Sequence, residues 1–321
     1  MNVSFPLAVA MLMLVATPVL AAQVDFEQQV GQFVIRVDGR AIATYVYQDD
    51  DIPRPYFAHV KAPSGQQVTR NLPPVEGIDA TDHDTIHPGI WLAFGDLDGS
   101  DFWRNKARVV HQRFVVPPVG GSDRGCFVED KNYFRKDGSV VCRERFECAI
   151  VVRDGGYLLI WNSTFDADQS FFFGDQEEMG IGFRVTTPLT EQNGGQLTDS
   201  AGRVGAEAIW SQAAKWCDYS GSIDNTHLGM TLLCHADNFG PSWMHARDYG
   251  FCAANPFGRQ AMNKGEHSRI DVSPGEKLRL RYGIWIHSSP AKDQPLSEIL
   301  TELNAVYDDY LQIADQSGCS E

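Results

Sequence analysis

No C-x-x-C pair occurs among the seven cysteines and no H-E-x-x-H run occurs anywhere, so the common zinc spacings are missing. G-x-G-x-x-G, the P-loop and G-x-S-x-G are missing too, which leaves dinucleotide, nucleoside-triphosphate and serine-hydrolase readings without support. Positive charge is scarce: 27 Lys and Arg stand against 42 Asp and Glu, for a net charge of −15. Such a chain repels phosphate backbones, and no basic run marks a nucleic-acid or membrane patch. Beyond residue 22 no apolar run approaches the length of a membrane span.

The first 22 residues have no charged side chain, and a short apolar run ends in Val19-Leu-Ala21-Ala22. Small residues at Val19 and Ala21 fit signal-peptidase cleavage, so residues 1–22 read as a signal peptide, and the mature protein as exported, periplasmic or extracellular. What remains, 23–321, has no linker rich in Pro, Ser and Gly and reads as a single domain. With 43% hydrophobic and 21% charged residues the full chain is composed as a soluble globular protein whose core needs no help from disulfides. In an oxidising compartment some cysteines can pair. Cys142 and Cys148 share one strand-like run; about 20 Å of strand between them forbids a bond. The odd count leaves at least one thiol free, and Cys319, two residues from the end, is expected to be it.

Periodicity is mostly that of strands. Phe33, Ile35 and Val37 alternate up to Asp38-Gly39, and Ile42, Thr44 and Val46 resume afterwards, a hairpin signal. Further strand-like runs cover 108–116, 139–153, 157–165, 181–187, 227–235, 243–253, 269–272 and 277–287. The fold class expected is mainly β, an antiparallel β-sandwich or supersandwich. One amphipathic helix, about 296–312, carries Leu296, Ile299, Leu300, Leu303, Val306, Tyr307, Tyr310 and Leu311 at helical spacing and is expected to pack outside the sheets.

Polar groups that do chemistry crowd into a few stretches. His83 and His87 lie in a loop or strand entry, since Pro88 disfavours helix there. They suit metal ligation, acid–base work or hydroxyl binding, and equally the capping of turns. Asp98-Gly99 reads as a turn rather than a calcium loop. Asp101 beside Phe102-Trp103 fits a sugar held between a carboxylate and an aromatic plate, or a turn cap beside a core tryptophan. Glu178, Gly180, Gly182 and Arg184 share one strand face, the glycines marking a close approach and the charged pair a site or an edge ion pair. In Trp243-Met-His245-Ala-Arg247-Asp248-Tyr249-Gly250, a strand puts His245, Arg247 and Tyr249 on one face and Asp248 on the other. His83, His87, Glu178, His245 and Arg247 are therefore expected to meet as catalytic groups. Arg54, Trp91, Asp101, Trp103, Arg184, Asp248, Tyr249 and Asn255 are expected to line or support them. No cofactor is predicted; residue types would allow a divalent metal, but no ligand spacing supports one.

The same residues carry a resemblance. Arg54-Pro-Tyr-Phe57, His87-Pro-Gly-Ile-Trp91 with Gly95-Asp96 and Asp101-Phe-Trp103, the strand led by Glu178, and His245-Ala-Arg247-Asp248-Tyr-Gly250 running to Asn255-Pro-Phe-Gly258 resemble the bacterial methane oxygenase PmoA-like family of unknown function. The match covers most of the mature chain; the family often shows two adjacent histidines where this chain has His87-Pro88. The resemblance implies a mainly β fold in exported proteins that accompany carbohydrate catabolism, similar to the galactose-mutarotase-like supersandwich. That fold handles sugars with histidines, a carboxylate and an arginine on a concave sheet face. The family label is not read as an activity, because the true membrane subunit spans the bilayer many times. The function expected is acid–base chemistry on a sugar or glycoside by a lyase, epimerase or hydrolase. The alternatives are a non-catalytic glycan-binding module using Trp91 and Trp103, or an oxygenase-associated protein as the label has it. The partner in the first two is a sugar or glycan.

Overall fold

The computed structural model describes residues 21–291, 293–316 and 319. The expected leader lies outside them except for its last two residues. In chain order the strands are β1 (Gln23–Gln29), β2 (Gln32–Val37), β3 (Arg40–Val46), β4 (Tyr56–Ala58), β5 (Ile90–Phe94), β6 (Arg108–Val119), β7 (Gly121–Ser122), β8 (Arg124–Phe134), β9 (Val140–Arg153) and β10 (Gly156–Asp166). There follow β11 (Phe171–Phe173), β12 (Met179–Arg184), β13 (Gln196–Asp199), β14 (Trp216–Ile223), β15 (Thr226–Cys234), β16 (Trp243–Arg247), β17 (Phe251–Asn255), β18 (Ile270–Val272) and β19 (Leu278–Pro290). A short helix α1 (Ala206–Ile209) precedes β14, and α2 (Leu296–Asp315) closes the chain.

Two large antiparallel sheets result, ordered β16-β17-β12-β5-β4-β3-β2-β1-β7 and β13-β14-β15-β19-β10-β9-β8-β6, with β11 and β18 as a small third pair. The expected hairpin is β2–β3: Asp38 and Gly39 take φ of 49° and 76°, the double positive φ that suits a two-residue turn between twisted strands. Aromatic rings from both large sheets meet between them, Tyr45 lying 5.0 Å from Phe127 and Phe57 lying 5.7 Å from Trp161. The molecule is thus a mainly β sandwich. The one long helix among the described residues packs outside, Leu303, Tyr307, Tyr310 and Ile313 covering Leu158, Ile160, Leu233 and Trp285 on the outer face of the eight-stranded sheet.

Charge is buried between the sheets. Lys131 Nζ lies 2.9 Å from Glu144 Oε1, and Tyr133 donates to Glu144 Oε2 at 2.8 Å. Glu129, with no exposure, accepts from Tyr45 and lies 2.7 Å from His111 Nδ1. Each buried charge therefore has a partner, as burial requires.

Two expectations need correction. Residues 243–253 are not one strand but two, β16 and β17, turning at 248–250. Gly250 has φ of 99°, and a Cβ there would meet Thr190 Cγ2 at 2.9 Å, so the chain reverses where only glycine fits. Cys319 is not the free thiol: it is bonded to Cys126, their Cα atoms 6.2 Å apart, while Cys142, Cys148, Cys217, Cys234 and Cys252 are free and buried.

Candidate functional site

The nine-stranded sheet has a second face, turned away from the eight-stranded sheet. Alternation sends Leu92, Ile181, Met244 and Cys252 into the inter-sheet core, and Trp91, Arg184, His245, Arg247 and Phe251 to the other side. The predicted residues from β5, β12, β16 and β17 therefore share this face. Gly182 keeps the packing loose between them, since a Cβ there would crowd the Ala253 Cβ at 3.1 Å on the neighbouring strand.

One group forms around His87. Its ring is nearly parallel to those of His83, Trp91 and Phe251, with centroids 4.7, 4.9 and 4.8 Å away. Burial, then the positive charges of His83, Arg184, Arg70 and Arg54, push His87 well below the usual histidine range, so the ring is neutral at pH 7. Arg184 is buried, its guanidinium 4.4 Å from the Tyr249 ring and 3.3 Å from both oxygens of Asp82. Asp82 Oδ2 also holds His83 Nδ1 at 2.5 Å. Burial alone would raise Asp82, but His83 and Arg184 outweigh it and bring it down to about 2. Arg70, from underneath, donates to the carbonyls of Ala80, Asp82 and His83 and fixes the loop that carries them.

A second group forms around Glu177. Its Oε1 accepts from Arg247 Nη2 at 2.6 Å and Trp210 Nε1 at 2.9 Å, and lies 3.4 Å from His245 Nε2. Its Oε2 has no hydrogen-bond partner among the described residues. Burial would raise Glu177; His245, Trp210 and Arg247 together hold it below the usual range. His245 is pushed down to about 4 by burial and by Arg247, with Glu177 opposing. Its Nδ1 faces the backbone carbonyl of Glu177 at 3.2 Å. Either neutral tautomer points one lone pair at an oxygen. The Nε2 contact is the longer, so the favoured neutral form carries its proton on Nδ1 and leaves Nε2 as a base.

Phe251 joins the groups, 4.8 Å from His87 and 4.8 Å, edge to face, from His245. Tyr249 lies between them as well. Burial raises its hydroxyl, and the charges acting on it come from both sides: Arg184 and Asp82, Arg247 and Glu177. His83, Asp82, Tyr249, Glu177 and Arg247 all reach solvent.

The remaining predicted residues fall around this pair of groups. Glu178 is turned to Arg104, which also pairs with Asp101 at 3.2 Å; no contact joins Glu178 to His245 or Arg247 among the described residues. Nor does Glu178 pair with Arg184. Asp101 caps its turn, accepting from the Arg104 backbone at 2.9 Å. Trp91 and Trp103 are fully buried and pack beneath the site, offering no ring face to a ligand. Arg54, brought down to about 9 by burial, spends its guanidinium on the carbonyls of Trp103 and Ile86. Asn255 positions Glu177, donating to the Gln176 and Glu177 carbonyls at 2.7 and 2.9 Å. Asp248 points away and accepts from Gln192 at 3.1 Å.

Sequence reasoning missed Asp82, Glu177, Trp210 and Phe251. Glu177 was overlooked because strand parity was extended back from Gly180 to Glu178, whereas β12 begins only at Met179. Asp82 stands next to His83 and was legible as its partner; nothing in the sequence points to Trp210. Among the described residues one grouping has metal-like spacing, His235 with Asp237 and Asp315. It lies apart from this face, and Arg281 already pairs with both carboxylates at 3.4 and 2.7 Å.

A sequence profile described as a family of unknown function matches residues 32–300. No curated protein matches the chain. Among solved structures, galactose 1-epimerase from Lactobacillus acidophilus is 9% identical at a TM-score of 0.40, covering 85% of this chain and 100% of its own. A galactose mutarotase-like protein from Clostridium acetobutylicum is 8% identical at 0.38, with 84% and 99% covered. A putative kojibiose phosphorylase from the human microbiome is 6% identical at 0.38; the match covers 70% of this chain and 26% of the phosphorylase. Likenesses of this extent decide nothing about this chain's chemistry. The methane-oxygenase label finds no support in any of them.

Proposed function

For this chain, which belongs to the family of unknown function DUF6807, we propose an enzyme that performs acid–base chemistry on a sugar or glycoside at the outer face of the nine-stranded sheet. The observation that carries the reading is the Glu177 carboxylate, contacted at one oxygen by Arg247 and Trp210 and faced by His245 Nε2 at 3.4 Å. Neutral at pH 7 and buried behind Glu177, His245 takes a proton from a hydroxyl or an acidic C–H by way of the Glu177 carboxylate, which reaches solvent, and Arg247 steadies the negative charge that develops on oxygen. His83, with Asp82 behind it, is the second proton-transfer group and returns a proton from the other side of Tyr249. Removal and return suit an epimerase or lyase; hydrolysis uses the same pair with water as the nucleophile. We also propose that the protein is exported, which the Cys126–Cys319 bond supports because an oxidising compartment keeps such bonds closed.

The test is a panel of monosaccharides, glycosides and their oxidised keto forms, read for binding, optical rotation and product. Turnover by the wild type, falling by about 10²–10⁴ in His245→Ala with the circular dichroism spectrum unchanged, is expected. Binding without product across the panel overturns the enzyme in favour of a glycan-binding module. Full turnover by His245→Ala overturns the assignment of the base.

A further inference from the structure

We propose that the site acts on a chain of neutral sugar units, with Trp210 as the platform for the unit next to the one that reacts; this rests on the sugar reading above. Beside Arg247, at the β16 edge of the sheet, lies a cleft of about 1000 Å³ walled by residues 191–192, the segment around α1 and residues 246–248. That is the upper end of the range of about 300–1,000 Å³ in which clefts enclose drug-sized ligands, and more than one sugar ring needs.

Trp210 ends the short helix α1 on the wall of this cleft and is half-buried. It is held from two directions: Nε1 donates to Glu177 Oε1 at 2.9 Å, and the Arg247 guanidinium lies 5.7 Å from the ring. An indole fixed in this way is a pre-set plate for the C–H face of a sugar. Because it touches the carboxylate faced by His245, a unit stacked on it is neighbour to the unit at the proton-transfer groups. The cleft also selects by charge. Glu191, Glu207 and Asp248 line it, and among the described residues the one cation that lines it, Arg247, is already paired with Glu177. A uronate or sulfated unit meets net negative charge there; a neutral unit does not.

The experiment assays the full chain and its Trp210→Ala and Trp210→Phe variants on gluco- and galacto-configured mono-, di- and trisaccharides and the matching uronate disaccharides. For the wild type, KM is expected to fall about tenfold from mono- to disaccharide, the upper end of what one ring contact contributes. Trp210→Ala should lose that gain. Trp210→Phe should keep it while its pH profile shifts, because the ring remains but the donor to Glu177 is gone. Equal KM for mono- and disaccharides in the wild type, a chain-length gain retained by Trp210→Ala, or preference for the uronates overturns the proposal. A wild type that handles monosaccharides without any chain-length gain defeats this proposal and leaves the sugar reading standing; one that neither binds nor converts any sugar defeats the sugar reading itself.

Discussion

His245 and His87 are histidines that their surroundings keep uncharged, and this links the site to stability. A histidine whose folded value lies below its unfolded value is protonated first in the unfolded chain, so acid favours unfolding. For His245, brought from 6.5 to about 4 by burial and Arg247, stability should decline as pH falls from 6.5 to 4 and level off below. His87 adds to the decline in the same direction. Asp82 acts in another window: held at about 2, its contribution is full above its ordinary value of 3.8 and goes only as pH falls through 2. Urea midpoints of the wild type should therefore drop between pH 6.5 and 4, and those of His245→Gln should drop less. Equal slopes for the two proteins would mean that His245 is not held uncharged in the fold. At this scale strand alternation in the sequence points to the shared face of His245 and Arg247 and to the facing of Arg184, whereas His83 and His87 come from a loop and Tyr249 from a turn, where alternation says nothing. It failed at Glu177 because parity holds only within a strand, and at Trp210 because that residue comes from a loop-borne helix of four residues.

Among the elements, α2 shows how tightly the outer layer is fitted. A Cβ at Gly283 on β19 would lie 2.8 Å from two ring carbons of Tyr310, so the helix approaches the sheet there because the strand has no side chain in the way. Gly283→Ala should destabilise by about 1–3 kcal/mol in urea unfolding, the usual cost of overpacking. Adding Tyr310→Leu should recover part of the loss; if the double variant is no better than Gly283→Ala, the clash lies elsewhere. The helix itself was legible because its apolar stripe repeats at helical spacing beside an otherwise polar surface; β2 and β3 were legible from their alternation, and β9, β10, β15 and β19 from long strand-like runs punctuated by turn residues. Strand β8 was not. Its core-facing residues are Phe127, Glu129, Lys131 and Tyr133, and two charges on the buried side erase the alternation that marks a strand. β5 was missed for the opposite reason: all five of its residues are buried, so nothing alternates.

At the scale of the molecule, the one disulfide joins β8 to the segment beyond α2 across 193 residues of sequence. A link over so long a loop restricts the unfolded chain, and its reduction should cost about 2–4 kcal/mol. Denaturation with and without reductant, alongside Cys126→Ala/Cys319→Ala, checks this; a wild type insensitive to reductant and equal to the double variant would show the bond to be absent or without effect.

The bond also bears on where the described stretch begins and ends. Gln23, at the start of β1, pairs with Ser122 on β7, and Cys319 is bonded to Cys126, four residues further on. The first and last described stretches therefore dock on the same corner, and the path from residue 23 to residue 319 is nearly a closed ring. The order of strands in both sheets belongs to that ring more than to the point where it is cut. A circular permutant joined across this corner and opened at the exposed Asp137-Gly138 turn would trace the same two sheets.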